Sequence, residues 1–213
     1  MKRAILLLPT LLILTIVLCA ARQSLADDTS LPKVLIIGDS ISMGYTRPVQ
    51  DTLAGKADVR RIPTNGGPTS RGVESIDSWL GEEKWNVIHF NWGLHDLKYI
   101  GDARQVPPDQ YKENLTKLVA RMKQTGAKLI WCSTTPYPEG CSPRRDPPDA
   151  VLYNEIAEKI MKENDVAIND LYTFALPKLK EIQQPVNVHF TATGSKVLGD
   201  EVARVILAAL GEK

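Results

Sequence analysis

The sequence is dominated by short apolar runs that alternate with longer segments of helical periodicity. Each run is too short for a helix and rich in β-branched residues and leucine, which is typical of strands buried in a parallel sheet. Five such runs occupy residues 34–37, 57–62, 86–90, 127–132 and 166–168. The second run is weaker than the others because Arg60 and Arg61 interrupt it. Because neighbouring parallel strands need crossover connections, this alternation predicts one three-layer α/β/α domain around a parallel sheet.

The segments between these runs carry apolar residues at helical spacing. For example, Val73, Ile76 and Leu80 would share one face of a helix. Pro107 and Pro108 mark the start of a longer helix, and Gly126 its end. The pattern predicts the remaining helices over residues 43–53, 69–80, around 152–161, 171–182 with a break at Pro177, and about 192–210.

Polar groups collect where the predicted strands end. Ser40 follows the first strand, Gly66 and Gly67 follow the second, and His95 with Asp96 follows the third. A fourth polar segment, 187–191, leads into the last helix. Ligands of open parallel sheets bind beyond the carboxyl ends of the strands, so we expect these four groups to line one cleft.

Ser40 is the candidate nucleophile. It follows a turn at Gly38 and opens a helix, whose N–H groups and dipole favour developing negative charge. The alternative is that Ser40 only caps this helix. A serine nucleophile needs a base, and the histidines are His89 in mid-strand, His95 and His189. His89 is expected in the core, whereas His189 precedes the last helix and fits either a base or a surface residue.

Four motifs in this order resemble the SGNH (GDSL-type) hydrolases, a family of serine esterases and lipases. They are Gly38-Asp39-Ser40, Asn65-Gly66-Gly67, Gly93-Leu94-His95-Asp96 and Val188-His189-Phe190-Thr191. The resemblance implies a flavodoxin-like fold with a five-stranded parallel sheet. It also implies catalytic roles for Ser40 as nucleophile and His189 as general base. The implied oxyanion hole comprises the N–H of Ser40, the N–H of Gly67 with Gly66 as the alternative, and a side-chain donor at His95.

Two positions depart from the family pattern. His95 stands where the family has asparagine, and an imidazole N–H can also donate to an oxyanion. Val186 stands where the family has an aspartate that orients the histidine. Valine cannot do this, so we expect a Ser–His dyad in which Asn187, or a main-chain carbonyl near Val186, accepts from His189 Nδ1.

Other polar residues near the motifs are weaker candidates. Asp96 and Trp92 could orient the site or contact substrate, although Trp92 also fits a buried packing role. Arg144 and Arg145 lie on a proline-rich loop, 134–148, and are expected at a solvated tip. The scattered histidines make a poor metal set, so neither a metal nor another cofactor is expected.

The amino-terminal segment predicts export. Lys2 and Arg3 precede an apolar run over residues 4–21 and a small-residue cleavage site that ends at Ala26. We expect a signal peptide over 1–26, a single mature domain over 27–213, and a periplasmic or extracellular location without membrane contact. An uncleaved membrane anchor is the alternative. Cleavage lowers the 26 basic residues to 23 against 25 acidic ones, and the absence of a basic stripe excludes nucleic acid as a partner.

Two cysteines remain after cleavage, Cys132 and Cys141. In an oxidising compartment they could form a disulfide, and two unpaired thiols are the alternative.

The motifs together predict an exported carboxylic ester hydrolase. By resemblance to small exported members, its substrates would be short-chain acyl esters, acetyl esters of carbohydrates above all, and we expect a monomer. Lysophospholipid or thioester substrates are alternatives. The loss of the family aspartate and asparagine also leaves open a non-catalytic carbohydrate-binding relative.

Overall fold

Parallel strands form the centre of the structure, a computed structural model that describes residues 30–211. The predicted signal peptide lies outside the described residues. The strands are β1 Lys33–Ile37, β2 Asp58–Arg61, β3 Val87–Phe90, β4 Tyr99–Ile100, β5 Ala103–Arg104, β6 Lys128–Cys132 and β7 Ala167–Asn169. Five of them form one sheet in the order β2-β1-β3-β6-β7, with every neighbouring pair parallel. Strands β4 and β5 form a separate antiparallel hairpin.

Helices cover both faces of this sheet. They are α1 Ser40–Thr52, α2 Thr69–Leu80, α3 Pro108–Lys123, α4 Pro147–Glu163, α5 Leu171–Ala175, α6 Leu179–Ile182 and α7 Ala192–Leu210, with a 3-10 turn at Leu176–Lys178. Alternate residues of β1 enter different cores. Leu35 and Ile37 pack with residues of α2, α3 and α4, whereas Val34 and Ile36 pack with residues of α1 and α7. The predicted three-layer α/β/α class and five-stranded parallel sheet are therefore confirmed.

The first and last helices pack closely, because small residues line their contact. A Cβ added to Gly199 of α7 would lie 2.6 Å from Pro48 Cβ in α1, which is closer than real atoms approach. Both helices begin at the carboxyl edge of the sheet. This close packing brings the start of α1 next to the loop that precedes α7.

Most predicted element boundaries agree with the structure, and the exceptions have local causes. Helix α1 begins at Ser40 rather than at residue 43, because the Asp39 carboxylate accepts from the Ile41 N–H and caps the first turn. The expected break at Pro177 is present as the 3-10 turn. The β4–β5 hairpin was not predicted, since two-residue strands carry no readable periodicity.

The two cysteines of the described region are unpaired. Cys132 lies at the end of β6 and Cys141 in the proline-rich loop, and both are buried free thiols. The possible disulfide is therefore wrong, and the alternative of two thiols holds. Within residues 30–211, no helix combines the length and apolar character that a membrane crossing requires.

Candidate active site

Ser40 lies where β1 gives way to α1. The strand ends at Ile37, and Asp39 caps the helix that Ser40 opens. N–H groups in the first turn of a helix have no partner within the helix, so the Ser40 N–H is available to a ligand. The side chain is half-buried at the carboxyl edge of the sheet.

His189 reaches Ser40 from the loop between α6 and α7. Its carbonyl accepts from the Gln184 N–H over 3.0 Å. Thr191 caps α7 through a bond from the Gly194 N–H to its hydroxyl oxygen, also 3.0 Å. The imidazole Nε2 lies 2.8 Å from Ser40 Oγ. The structure thus brings together two residues that are 149 positions apart in sequence.

Asn187 determines the tautomer of His189. Its Oδ1 lies 3.0 Å from the His189 main-chain nitrogen and 2.8 Å from Nδ1. A main-chain N–H can only donate, so the atom of Asn187 at this point must be the oxygen. Nδ1 therefore carries the proton and Nε2 is free to accept from the Ser40 hydroxyl.

Val186 takes no part in this contact. Its side chain is 62% exposed, and its backbone adopts a left-handed conformation with φ of 52°, which is unfavourable for a β-branched residue. Of the two acceptors expected for Nδ1, the structure places the Asn187 amide there rather than a main-chain carbonyl.

The two glycines after β2 make different hydrogen bonds. The Gly66 N–H donates to the Gly38 carbonyl over 2.9 Å, a main-chain hydrogen bond that an oxyanion at Gly66 would have to replace. Gly67 has a positive φ of 61° and its N–H donates to Asn65 Oδ1 over 2.9 Å. An oxyanion at Gly67 would take the place of this amide oxygen.

Arg61 joins the turn at Ser40 to the glycine loop, a role that the sequence did not indicate. Its guanidinium donates to the carbonyl of Gly38 at 2.9 Å, to Ser42 Oγ at 3.0 Å and to the carbonyls of Ile62 and Thr64 at 2.8 and 3.0 Å. Sequence reasoning treated this arginine as an interruption of β2.

His95 is half-buried and makes no hydrogen bond within the described residues. Burial lowers the pKa of His95 from its usual value, and the charges of Lys98, Arg145 and Arg71 lower it further, while that of Asp39 opposes them. A neutral imidazole is therefore expected at pH 7. It retains one N–H that can donate to an oxyanion.

Asp96 and Trp92 are not positioned to contact substrate. Asp96 is fully buried, and its Oδ1 accepts from the Thr69 N–H over 2.8 Å and from the Thr69 hydroxyl over 2.5 Å. It therefore orients the start of α2, next to Gly67. Trp92 is 1% exposed and packs on Gly72, which supports its alternative role in the core.

The two arginines of the proline-rich loop differ. Arg144 is exposed and pairs with Asp146. Arg145 is only 6% exposed, so its predicted place at a solvated tip is wrong. Its Nε donates to the Leu94 carbonyl over 2.9 Å and its Nη1 to the Pro143 carbonyl over 3.0 Å. Among the described residues, no group of three or more His, Cys, Asp or Glu side chains could hold a metal ion.

Comparisons with known proteins identify relatives of similar sequence and of similar fold. An arylesterase from Vibrio mimicus is 26% identical over 131 residues, which is 56% of this chain and 61% of that protein. The chain thus spans less than two thirds of this relative's length. A lipase/acylhydrolase from Enterococcus faecalis has a TM-score of 0.73 at 21% identity, covering 84% of this chain and 96% of that one. The acetyl xylan esterase AlAXEase has a TM-score of 0.70 at 15% identity, covering 82% and 99%.

The family comparison covers most of the domain. The profile described as the GDSL-like lipase/acylhydrolase family matches residues 36–197, from within β1 to within α7. That stretch contains Ser40, the glycine loop, His95 and His189. The chain belongs to the GDSL-like lipase/acylhydrolase family, whose members are hydrolases that act on ester bonds.

Proposed function

We propose that this protein is an exported carboxylic ester hydrolase that removes short acyl groups, chiefly acetyl, from carbohydrates by a Ser–His dyad. The observation that carries the proposal is the 2.8 Å contact between Ser40 Oγ and His189 Nε2. The Asn187 contact fixes the tautomer in which Nε2 can accept a proton. No cofactor takes part in this chemistry.

The proposed reaction has two acyl-transfer steps. Ser40 Oγ attacks the ester carbonyl as its proton passes to His189 Nε2. The tetrahedral oxyanion accepts hydrogen bonds from the N–H groups of Ser40 and Gly67 and from the His95 imidazole. The intermediate expels the alcohol, which takes the proton from His189. A water molecule, deprotonated by His189, then attacks the acyl-enzyme, releases the acid and restores the Ser40 hydroxyl.

The substrate class is supported by structural similarity. The acetyl xylan esterase AlAXEase has the same fold over 82% of this chain. The name of that protein describes the removal of acetyl groups from a polysaccharide. We extend this substrate class to the present protein.

A second substrate class is favoured by one surface feature. A groove beside the His189 loop is lined by Pro138, Leu176, Leu179, Pro185 and Val186. Leu176 is 50% exposed and Val186 is 62% exposed, so apolar surface is available on and beside the loop that carries His189. Such a groove would suit longer acyl chains, as in lysophospholipids or thioesters. A panel of esters with increasing acyl length distinguishes the two classes by their kcat/KM values.

Ser40→Ala tests the serine mechanism. We expect the purified mature protein to hydrolyse aryl acetates and react covalently with a fluorophosphonate, and the variant to lose both properties. Ser70→Ala removes an exposed hydroxyl from α2 and serves as the control that keeps both. A native protein that neither hydrolyses these esters nor reacts would instead favour the alternative of a non-catalytic carbohydrate-binding relative.

Export and oligomeric state have separate tests. We expect amino-terminal sequencing of secreted protein to begin at Asp27. An intact amino terminus in a membrane fraction would indicate the anchored form. Sedimentation of the mature protein is expected to give the mass of one chain.

A further inference from the structure

The arginines without an ion pair lie around the candidate active site. The described region contains nine arginines, and six of them form ion pairs with carboxylates. The three without such a pair are Arg61, Arg71 and Arg145. Each of these lies beside a segment of the site.

Arg145 is the most buried of the three. It is 6% exposed, and its two hydrogen bonds go to the neutral carbonyls of Leu94 and Pro143. Its Nη2 has no partner among the described residues. Burial lowers the pKa of the Arg145 guanidinium from its usual value, in keeping with a cation that lacks a counterion. A buried charge without an opposite charge is costly, so its retention favours a role in binding.

Lys98 and Arg71 complete the group. Lys98 is half-buried and its ammonium has no partner in the part of the chain that the structure describes. Its segment contacts the Arg145 loop, since the Tyr99 N–H donates to the Arg144 carbonyl over 2.9 Å. Arg71 passes over the oxyanion glycine: a Cβ on Gly67 would lie 3.0 Å from Arg71 Cδ.

His95 lies among these cations. Lys98, Arg145 and Arg71 all lower the pKa of His95, and Asp39 is the acid that opposes them. Asp39 is buried and caps α1. Arg61 is excluded from this group because its donors are occupied by the hydrogen bonds described above.

We propose that Arg71, Lys98 and Arg145, here called the cationic cluster, bind a carboxylate carried by the ester substrate next to the oxyanion hole. This inference rests on the proposed ester hydrolysis and narrows its substrates to acidic esters. An anionic group would supply the missing counterion for all three side chains, and the arginines could hold a carboxylate by paired N–H donors.

Matched esters test the preference. In the first pair, the charge is on the alcohol side: hydrolysis of 3-acetoxybenzoate is compared with hydrolysis of its neutral methyl ester. In the second pair, the charge is on the acyl side: hydrolysis of the 4-nitrophenyl monoester of adipic acid is compared with hydrolysis of 4-nitrophenyl hexanoate. We expect a higher kcat/KM for the acidic member of at least one pair, and a preference that declines as salt is added. The pair that shows it identifies which part of the substrate carries the charge.

Charge-removing variants assign the preference to the cluster. Lys98→Met and Arg71→Met each remove one cation without breaking an ion pair. We expect each to lower the ratio of acidic to neutral kcat/KM by about fivefold, the size of one partly exposed ion pair. Lys117→Met removes an exposed lysine of α3 as the control and should leave the ratio unchanged.

The outcomes separate this inference from the proposed function. Hydrolysis of neutral esters with no preference for either acidic partner overturns the inference and leaves the esterase intact. A preference that survives in both variants also overturns it. Failure to hydrolyse any of the four esters, together with no fluorophosphonate labelling, would instead contradict the proposed function.

Discussion

Asn187 gives His189 a neutral acceptor in place of the family carboxylate. In a Ser-His-Asp triad, replacing the acid by an amide is harmful because the amide can present its nitrogen and select the wrong tautomer. Here the His189 main-chain N–H contacts the same amide atom as Nδ1 and requires it to be oxygen. The local backbone thus maintains the tautomer that a carboxylate would otherwise impose.

Adjacent substitutions test this role of Asn187. Asn187→Ala removes the acceptor, and we expect kcat for an aryl acetate to fall by about tenfold to a hundredfold with little change in KM. Asn187→Asp keeps the acceptor and should retain at least native activity. Val186→Asp should leave kcat unchanged, because residue 186 points to solvent. A large gain in Val186→Asp, or full activity in Asn187→Ala, would contradict the assignment.

At the scale of elements, β2 and α1 are joined through Arg61. The guanidinium of this residue binds the turn before Ser40 and the loop before Gly67 at once. Two elements that supply proposed oxyanion donors are therefore held at a fixed separation. Arg61 does not contact the reacting atoms and is a positioning residue.

Arg61→Met tests this positioning effect. We expect kcat to fall by about tenfold to a hundredfold, since small misplacements of reacting groups have effects of that size. Arg60→Met is the matched control: Arg60 lies next to it on β2 but pairs with Asp58 and Glu83 at the surface. Equal losses in the two variants, or parallel losses in melting temperature, would indicate a general effect on folding.

Across the whole molecule, two buried titratable groups give stability opposite pH dependences. Burial lowers the pKa of His89 to about 3, so its contribution is present above pH 6.5 and is lost as the pH falls towards 3. Burial raises the pKa of Asp96 to about 7, although the hydrogen bonds from Thr69 act to lower it. The contribution of Asp96 is present below pH 3.8 and is lost as the pH rises through 7. Between pH 3.8 and 6.5, the contributions of His89 and Asp96 to the free energy of unfolding change with pH in opposite directions.

Asp96→Asn should reveal the pH dependence that His89 gives to the free energy of unfolding. Between about pH 4 and 6.5, we expect the free energy of unfolding of this variant to fall on acidification more steeply than that of the native protein, by about 1.4 kcal/mol per pH unit. Urea denaturation at a series of pH values measures both curves. Parallel curves would show that Asp96 does not titrate in this window.

The sequence predicted the sheet and its helices because their residues carry the information locally. The run 34–37 is short, apolar and rich in isoleucine and valine, which favours a buried strand, and parallel strands place Ser40 and the glycine loop at one edge. The burial of Arg145 could not be predicted, since it depends on how the proline-rich loop folds against Leu94. The same holds for Gly66, whose N–H is occupied by a carbonyl from another segment.

The close contact of α1 with α7 also determines when the site can form. A ribosome delivers Ser40 well before His189, which follows 149 positions later. Until α7 has been synthesised and has docked against Pro48, the hydroxyl lacks its proton acceptor. A nascent chain therefore carries an inert serine, and the proposed chemistry begins only after folding has joined its first helix to its last.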